Sequence, residues 1–164
     1  LPLIGRDTQL LAYTLEELNN RYIKYDLTRI LRGKSVEATF KINVVDGKPT
    51  AKTKSLILMS YFIRRVIRKG TNYVEDSFST PCKDAQIRIK PFLITRKKVS
   101  RAVRKALRDK AKEDLIEYAK DRTSEQIFED VLANHLQKTL SLKLKKIYPL
   151  SFCDIRWVEV EKEI

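Results

Sequence analysis

Val36-Glu-Ala-Thr-Phe-Lys-Ile-Asn-Val44, followed by Asp46-Gly47 and a second apolar stretch over residues 51–59, decides the fold. Ala38, Phe40, Ile42 and Val44 alternate with Glu37, Thr39, Lys41 and Asn43, the period of a strand with one buried face. Asp-Gly is a strong hairpin turn, so residues 51–59 return as the second strand. Ser60 then caps a helix over 61–69 that Gly70 stops, which groups Arg64, Arg65 and Arg68.

Residues 73–80 and 85–95 form a second strand pair around Pro81-Cys82-Lys83-Asp84. In 85–95, Gln86, Arg88 and Lys90 share one face and Ile87 and Ile89 the other. Pro91 has no N–H for a ladder and marks a sheet edge or a bulge. A helix runs from Ser100 to about residue 120. A second spans about 123–140, where Thr123-Ser-Glu-Gln126 fits a capping box. Ile127, Phe128, Val131, Leu132, His135 and Leu136 are its apolar stripe, which makes His135 a packed imidazole rather than a catalytic one. Cys153-Asp-Ile-Arg-Trp-Val-Glu-Val160 is a last strand, with Trp157, Ile155 and Cys153 facing inward. Upstream, residues 9–13 read as a strand and 14–17 as a capped turn. Asp26 caps a short helix over 26–32 that Gly33 ends. The expected class is α+β: an antiparallel sheet, open or rolled into a barrel, with a short basic helix between strands and two C-terminal helices before the last strand. Residues 1–34 are expected to be a segment packed on a single domain of residues 35–164.

The 164 residues are 43% hydrophobic and carry a net charge of +13. That composition suits a globular core, and the charge points first to nucleic acid. No apolar run approaches a membrane span, and no signal peptide is visible. The single Met59 implies a start before Leu1. Cys82 and Cys153 are far apart and His135 stands alone, so no zinc site is expected and the thiols are ordinary.

The charge is concentrated. Residues 88–112 hold eleven Lys or Arg and one acid, Asp109. On the helix from Ser100, Arg101, Lys105, Arg108 and Lys112 fall on one stripe. They repel one another and sit in the half where the helix dipole is already positive. Glu113, Asp114 and Glu117 come later, the reverse of the stabilising order. The second helix obeys the dipole rule, with Glu125, Glu129 and Asp130 early and Lys138 and Lys143 late. A reversed order that opposes folding points to a polyanion partner.

Motifs for chemistry are missing: no phosphate-cradling glycine loop, no G-x-S-x-G and no H-E-x-x-H. Neither a catalytic residue nor a cofactor is expected. Glu159, Glu161 and Glu163 share a face of the last strand and serve to solubilise it rather than to bind metal. Aromatic and basic residues interleave at Arg21-Tyr-Ile-Lys-Tyr25, Lys90-Pro-Phe92 and Arg156-Trp157, a pattern that serves base stacking or simply the core.

Three segments resemble the S-three-Ae family of small-subunit ribosomal proteins shared by archaea and eukaryotes. Arg64-Arg65-Val-Ile-Arg68-Lys69-Gly70-Thr71 is similar to the family's R-R-x-x-R-x-G-T. Phe92-Leu-Ile-Thr-Arg-Lys-Lys98, leading to Arg101, Arg104 and Lys105, is similar to its F-T-x-R-R segment and basic helix. Lys145-Lys146-Ile-Tyr-Pro-Leu150 with Ile155-Arg156 resembles its K-x-I-Y-P-L and I-R-K ending. The compact length looks archaeal. Lys83-Asp84-Ala85-Gln86 departs from the family's Asp-Gly-aromatic turn, and Leu58-Met-Ser60 replaces its Thr-Arg-Asp. The resemblance implies a structural protein bound to ribosomal RNA on the platform, near the RNA 3′ end and the messenger exit. Its neighbours would be platform proteins and messenger RNA, and it would be cytoplasmic, ribosome-bound and not attached to membrane. The residues expected to meet phosphates are Arg64, Arg65, Arg68, Lys69, Arg88, Lys90, Arg96, Lys97, Lys98, Arg101, Arg104, Lys105 and Arg108, with Lys145 and Lys146 second. The alternatives are an RNA-processing or RNA-modifying enzyme with a basic groove, and a DNA-binding regulator, which lacks its turn-helix pattern.

Overall fold

The computed structural model describes Leu3, Gly5 and residues 7–31, 33–45 and 47–163, without the side chain of Glu163. Alternating strands need a cover for their apolar face, and three helices supply it. The strands are β1 (Tyr22–Asp26), β2 (Val36–Val45), β3 (Lys48–Leu58), β4 (Tyr73–Glu75), β5 (Phe78–Pro81), β6 (Ala85–Thr95) and β7 (Leu150–Glu163). They form one antiparallel sheet in the order β1-β2-β3-β7-β6-β4, with β5 also on β6. The helices are α1 (Ser60–Val66), α2 (Arg101–Lys120), α3 (Ser124–Leu132) and α4 (His135–Leu144). Ala38, Phe40, Ile87, Ile89 and Val158 of the sheet share a buried cluster with Leu107, Ala111 and Leu115 of α2 and with Ile127, Phe128 and Leu140. The class is therefore α+β, as the periodicity implied.

The barrel alternative does not occur. Among the described residues β1 pairs only with β2, and β4 only with β6. Both edge strands are short, and the apolar face is closed by helices rather than by the sheet itself.

β6 and β7 pair along the whole of β6. Glu161, Arg156 and Ser151 have no residue opposite them, so β7 bulges three times. Each bulge shifts which side chains face the helices. The bulge at Arg156 corrects one expectation: Trp157 does not point inward with Ile155. Ile155 is buried, while Trp157 turns to the open face, where the Lys90 ammonium lies 3.8 Å from its ring centroid. Arg156 reaches Glu75 at 2.9 Å. Pro91 sits beside this bulge, and the expected strand over 73–80 is split into β4 and β5 opposite it, where a ladder donor is missing.

Other expectations are corrected near the chain start. Residues 9–13 form no strand, and the capped turn is a 3₁₀ turn, Glu16–Leu18, without a side-chain cap. The helix expected over 26–32 is a single turn among the described residues, because Tyr22–Asp26 is a strand and Asp26 accepts from Thr28 N (2.8 Å) and Thr28 Oγ1; Arg32 lies outside the described residues. α1 begins one residue earlier and stops at Val66, so Arg68 and Lys69 lie in the following turn. Gly47 has a φ of +72°, as a tight hairpin between Val45 and Lys48 requires; Asp46 lies outside the described residues.

The helix expected over 123–140 is broken. Thr123 and Gln126 form the capping box, but α3 ends at Leu132 and Asn134 is left-handed at φ 59°. Asn is among the few residues that adopt this conformation readily. The break is held from below. Lys34 Nζ donates to Asn134 Oδ1 (3.2 Å) and Asp154 Oδ1 (2.7 Å). Gln137 Nε2 donates to Val131 O (2.8 Å) and Asp154 Oδ1 (3.0 Å). His135 thereby becomes the first residue of α4, with a side chain 69% exposed rather than packed, 3.7 Å from Asp130.

Two predictions follow from these joints. The Lys34 and Asp154 side chains are 11% and 6% exposed, so Lys34→Met should destabilise the fold by about 3–5 kcal/mol in urea denaturation, because it strands a buried charge. Adding Asp154→Asn removes that charge but keeps an acceptor for Gln137, and should return part of the loss. The second prediction concerns Asp84, which accepts from Ser124 N (2.8 Å) and Ser124 Oγ (2.5 Å). Burial pushes its carboxyl up, but these bonds outweigh burial and hold it below its ordinary 3.8. The stabilisation is complete above the unfolded value and lost as pH falls through the lower folded one. An NMR titration of Asp84 Cγ should give a midpoint below 3.8, and Asp84→Asn should flatten the acid limb of stability.

Candidate nucleic-acid interface

Antiparallel pairing gathers three chain segments at one end of the sheet. Tyr73 starts β4 opposite Ile94, and Leu150 starts β7 opposite Thr95, where β6 ends. A basic run adjoins each: Arg64, Arg65, Arg68 and Lys69 before β4, Arg96, Lys97 and Lys98 after β6, and Lys145 and Lys146 before β7.

Asn72 joins the first two runs. Its N–H donates to Thr95 Oγ1 (3.0 Å), its carbonyl accepts from Thr95 N (2.9 Å), and its Oδ1 accepts from Val99 N (2.8 Å). Thr95 Oγ1 donates within this knot, 2.7 Å from Lys97 O. The turn from β6 into α2 is thus hydrogen-bonded to the residue that follows Arg68-Lys69-Gly70-Thr71. Thr71 Oγ1 in turn donates to Arg68 O (2.7 Å). Neither Asn72 nor Thr95 stands out in the sequence; the only signal is an Asn immediately before a strand and just after Gly-Thr.

Ser100 Oγ accepts from Val103 N (3.4 Å) and starts α2. Leu107, Ala111, Leu115 and Ala119 are the buried side of that helix. Arg101, Lys105, Arg108 and Lys112 are exposed on the other, and Arg104 is half-buried at the border. Among the described residues, no carboxylate lies within 4.0 Å of Arg64, Arg65, Arg68, Lys69, Arg96, Lys97, Lys98, Arg101, Arg104, Lys105, Arg108, Lys145 or Lys146. The Arg65 guanidinium instead lies over the Phe62 ring at 5.6 Å.

Two of the expected residues are placed differently. Arg88 pairs with Glu161 at 2.8 Å, and Lys90 covers Trp157. Both lie on the open face of β6 and are already engaged. Farther along α2, Lys110 reaches Asp114 (3.3 Å) and Glu113 (3.4 Å), and Lys143 reaches Asp114 (3.5 Å). On α2 the cations without a carboxylate within 4.0 Å among the described residues are therefore Arg101, Arg104, Lys105, Arg108 and Lys112, with Lys120 at its last residue.

The thiols suit packing rather than reaction. Burial, with Asp154 beside it, pushes the Cys153 thiol up to about 12. Burial and Asp84 also raise Cys82, which donates to Ala85 O at 2.8 Å. Among the described residues no cluster of His, Cys, Asp and Glu is arranged to hold a metal ion, and no helix is long and apolar enough to cross a membrane. The sheet end presents many cations on hydrogen-bonded turns, an arrangement suited to phosphates.

The model of the Ribosomal S3Ae family matches residues 7–163. Archaeal proteins named "Small ribosomal subunit protein eS1" are similar to this chain. The protein from Pyrobaculum aerophilum is 31% identical over 140 residues, covering 84% of this chain and 63% of the relative. That from Nanoarchaeum equitans is 28% identical over 156 residues, covering 92% and 78%. That from Halorubrum lacusprofundi is 30% identical over 166 residues, covering 95% and 74%. The chain thus spans less than two thirds of the Pyrobaculum aerophilum relative.

Asn72→Ala should release the turn without unfolding the sheet. Hydrogen exchange at the Val99 amide should accelerate by about tenfold or more as its acceptor disappears, while circular dichroism stays unchanged and affinity for nucleic acid falls.

Proposed function

The chain belongs to the Ribosomal S3Ae family, and on that premise we propose that it is a structural constituent of the small ribosomal subunit that binds ribosomal RNA. The observation that carries this is the convergence of unpaired cations at the sheet end around Asn72 and Thr95. Thirteen of the residues expected from the sequence belong to that interface: Arg64, Arg65, Arg68, Lys69, Arg96, Lys97, Lys98, Arg101, Arg104, Lys105 and Arg108, with Lys145 and Lys146 joining through the start of β7. Arg88 and Lys90 contribute less, since each already has a partner. Binding runs through phosphate neutralisation and shape, and base edges are read little.

The family resemblance supports a finer placement on the subunit platform, near the RNA 3′ end and the messenger exit, with platform proteins and messenger RNA as neighbours. There the protein supports subunit assembly and translation, ribosome-bound in the cytoplasm. Residues 35–164 act as the RNA-binding domain, with 1–34 packed on it. Family membership favours this structural role over the RNA-processing enzyme with a basic groove.

The protein should co-sediment with small subunits in low salt and be stripped in high salt. With about six phosphates neutralised, RNA affinity should fall by roughly 10³ or more between about 50 and 200 mM salt. Arg101→Ala, Arg104→Ala and Lys105→Ala together should flatten that slope by about two to three charges' worth. An unchanged slope moves the binding surface elsewhere.

A further inference from the structure

A second, smaller group of cations lies away from the basic end. Lys41 on β2 stands directly opposite Lys52 on β3, and Tyr22 on β1 stands opposite Lys41. The three form a row across the sheet. Phe40 and Ile42 turn to the buried side, so by alternation the row lies on the face away from the helices. Lys54, the extra residue where the β2–β3 register shifts, adds a third ammonium, which donates to Val160 O. These side chains, with Thr53, Val160 and Glu161, border a depression of about 210 Å³.

Like charges directly opposite on a ladder repel, and no carboxylate among the described residues pairs with Lys41, Lys52 or Lys54. The same face answers its other cations: Lys24 meets Glu37 at 3.7 Å, and Arg88 meets Glu161 at 2.8 Å. The carboxylate bordering the depression, Glu161, is therefore already held. Tyr22 is 58% exposed on the edge strand, so its ring has an open side. Lys52 is six residues along β3 from Leu58, about 20 Å at strand rise, so this row is separate from the sheet end next to α1.

We propose that Tyr22, Lys41, Lys52 and Lys54 form a second binding surface, for a single-stranded RNA segment. Phosphodiesters sit against the ammonium groups, and an unpaired base stacks on the Tyr22 ring. An acidic peptide would satisfy the lysines but leave the exposed ring unused. A duplex would satisfy them but offer no free base face.

The test is titration of the full chain with a short fluorescent oligouridine at several salt concentrations. Lys41→Gln with Lys52→Gln should weaken binding by roughly tenfold and flatten the salt slope by about 1.4, two single-strand phosphates' worth. Its melting temperature should rise slightly as the repulsion disappears. Tyr22→Leu should weaken binding by roughly tenfold with the slope unchanged. A photo-crosslink from uridine should map to Tyr22. The proposal is overturned by unchanged affinity in both variants, by a lower melting temperature in the lysine variant, or by polyglutamate displacing the RNA while Tyr22→Leu binds normally. The last would assign the row to an acidic protein segment. Loss of binding in the Arg101, Arg104 and Lys105 variant alone would reject this surface and leave the basic end intact.

Discussion

The β6–β7 ladder is the constraint on which the rest depends. β3 reaches β7 through only three residue pairs, Ser55–Ile57 against Trp157–Glu159. The half made of β1, β2 and β3 therefore hangs on β7, and the other half hangs on β6. The three bulges let β7 match β6 while twisting, and they choose which β7 side chains meet the helices. Where the ladder ends, both faces close. Phe92, Leu93 and Ile94 are buried, and the Phe92 ring lies 6.1 Å from Tyr73 and 6.3 Å from Phe152. That closed end gives the basic loops a rigid base, and Asn72 and Thr95 fasten them to it.

The fold divides its cations into two populations. One holds the structure together: Lys34 on Asp154, Arg122 on Asp130, Arg156 on Glu75, and Lys110 and Lys143 on Asp114. Buried or half-buried carboxylates need these partners, because an unpaired charge in the interior is costly. Tyr118 joins the same economy. Burial and its bond to Asp130 (2.7 Å) push its phenol up to about 12. The other population is solvated and, among the described residues, without carboxylate partners; its largest group lies at the sheet end and on the first half of α2, and a smaller one at Lys41 and Lys52. Such charges repel one another and add nothing to the core. Their grouping is intelligible through a polyanion that neutralises them.

The strands over residues 36–59 and 85–95, the helix from Ser100, the Thr123 capping box and the clustering of basic charge were legible in the sequence. Each rests on local rules: side chains repeat with the period of their element, caps satisfy their own helix, and net charge is additive. The helix break at Asn134 was not legible. It depends on Lys34, which lies 100 residues from Asn134 and 120 from Asp154 in the chain. Alternation alone turns Trp157 inward, but one residue without a partner across the ladder, Arg156, reverses that parity. In the sequence β1 shows only aromatic-basic interleaving, because a short edge strand owes its existence to the partner it pairs with.

The candidate site followed the same division. Which residues are basic, and which share a helix stripe, was determined by the sequence alone, since charge and periodicity are properties of the chain. Which cations remain free was decided by the tertiary structure. Arg88 and Lys90 belong to the same basic tract as Arg96 and Arg101, yet β7 brings Glu161 and Trp157 to them and engages both. The runs around Arg68, Lys97 and Lys145 are far apart in sequence, and only antiparallel pairing at Thr95, Tyr73 and Leu150 brings them to one end. Long-range pairing is set by burial of the whole sheet against its helices, a quantity that no local window contains.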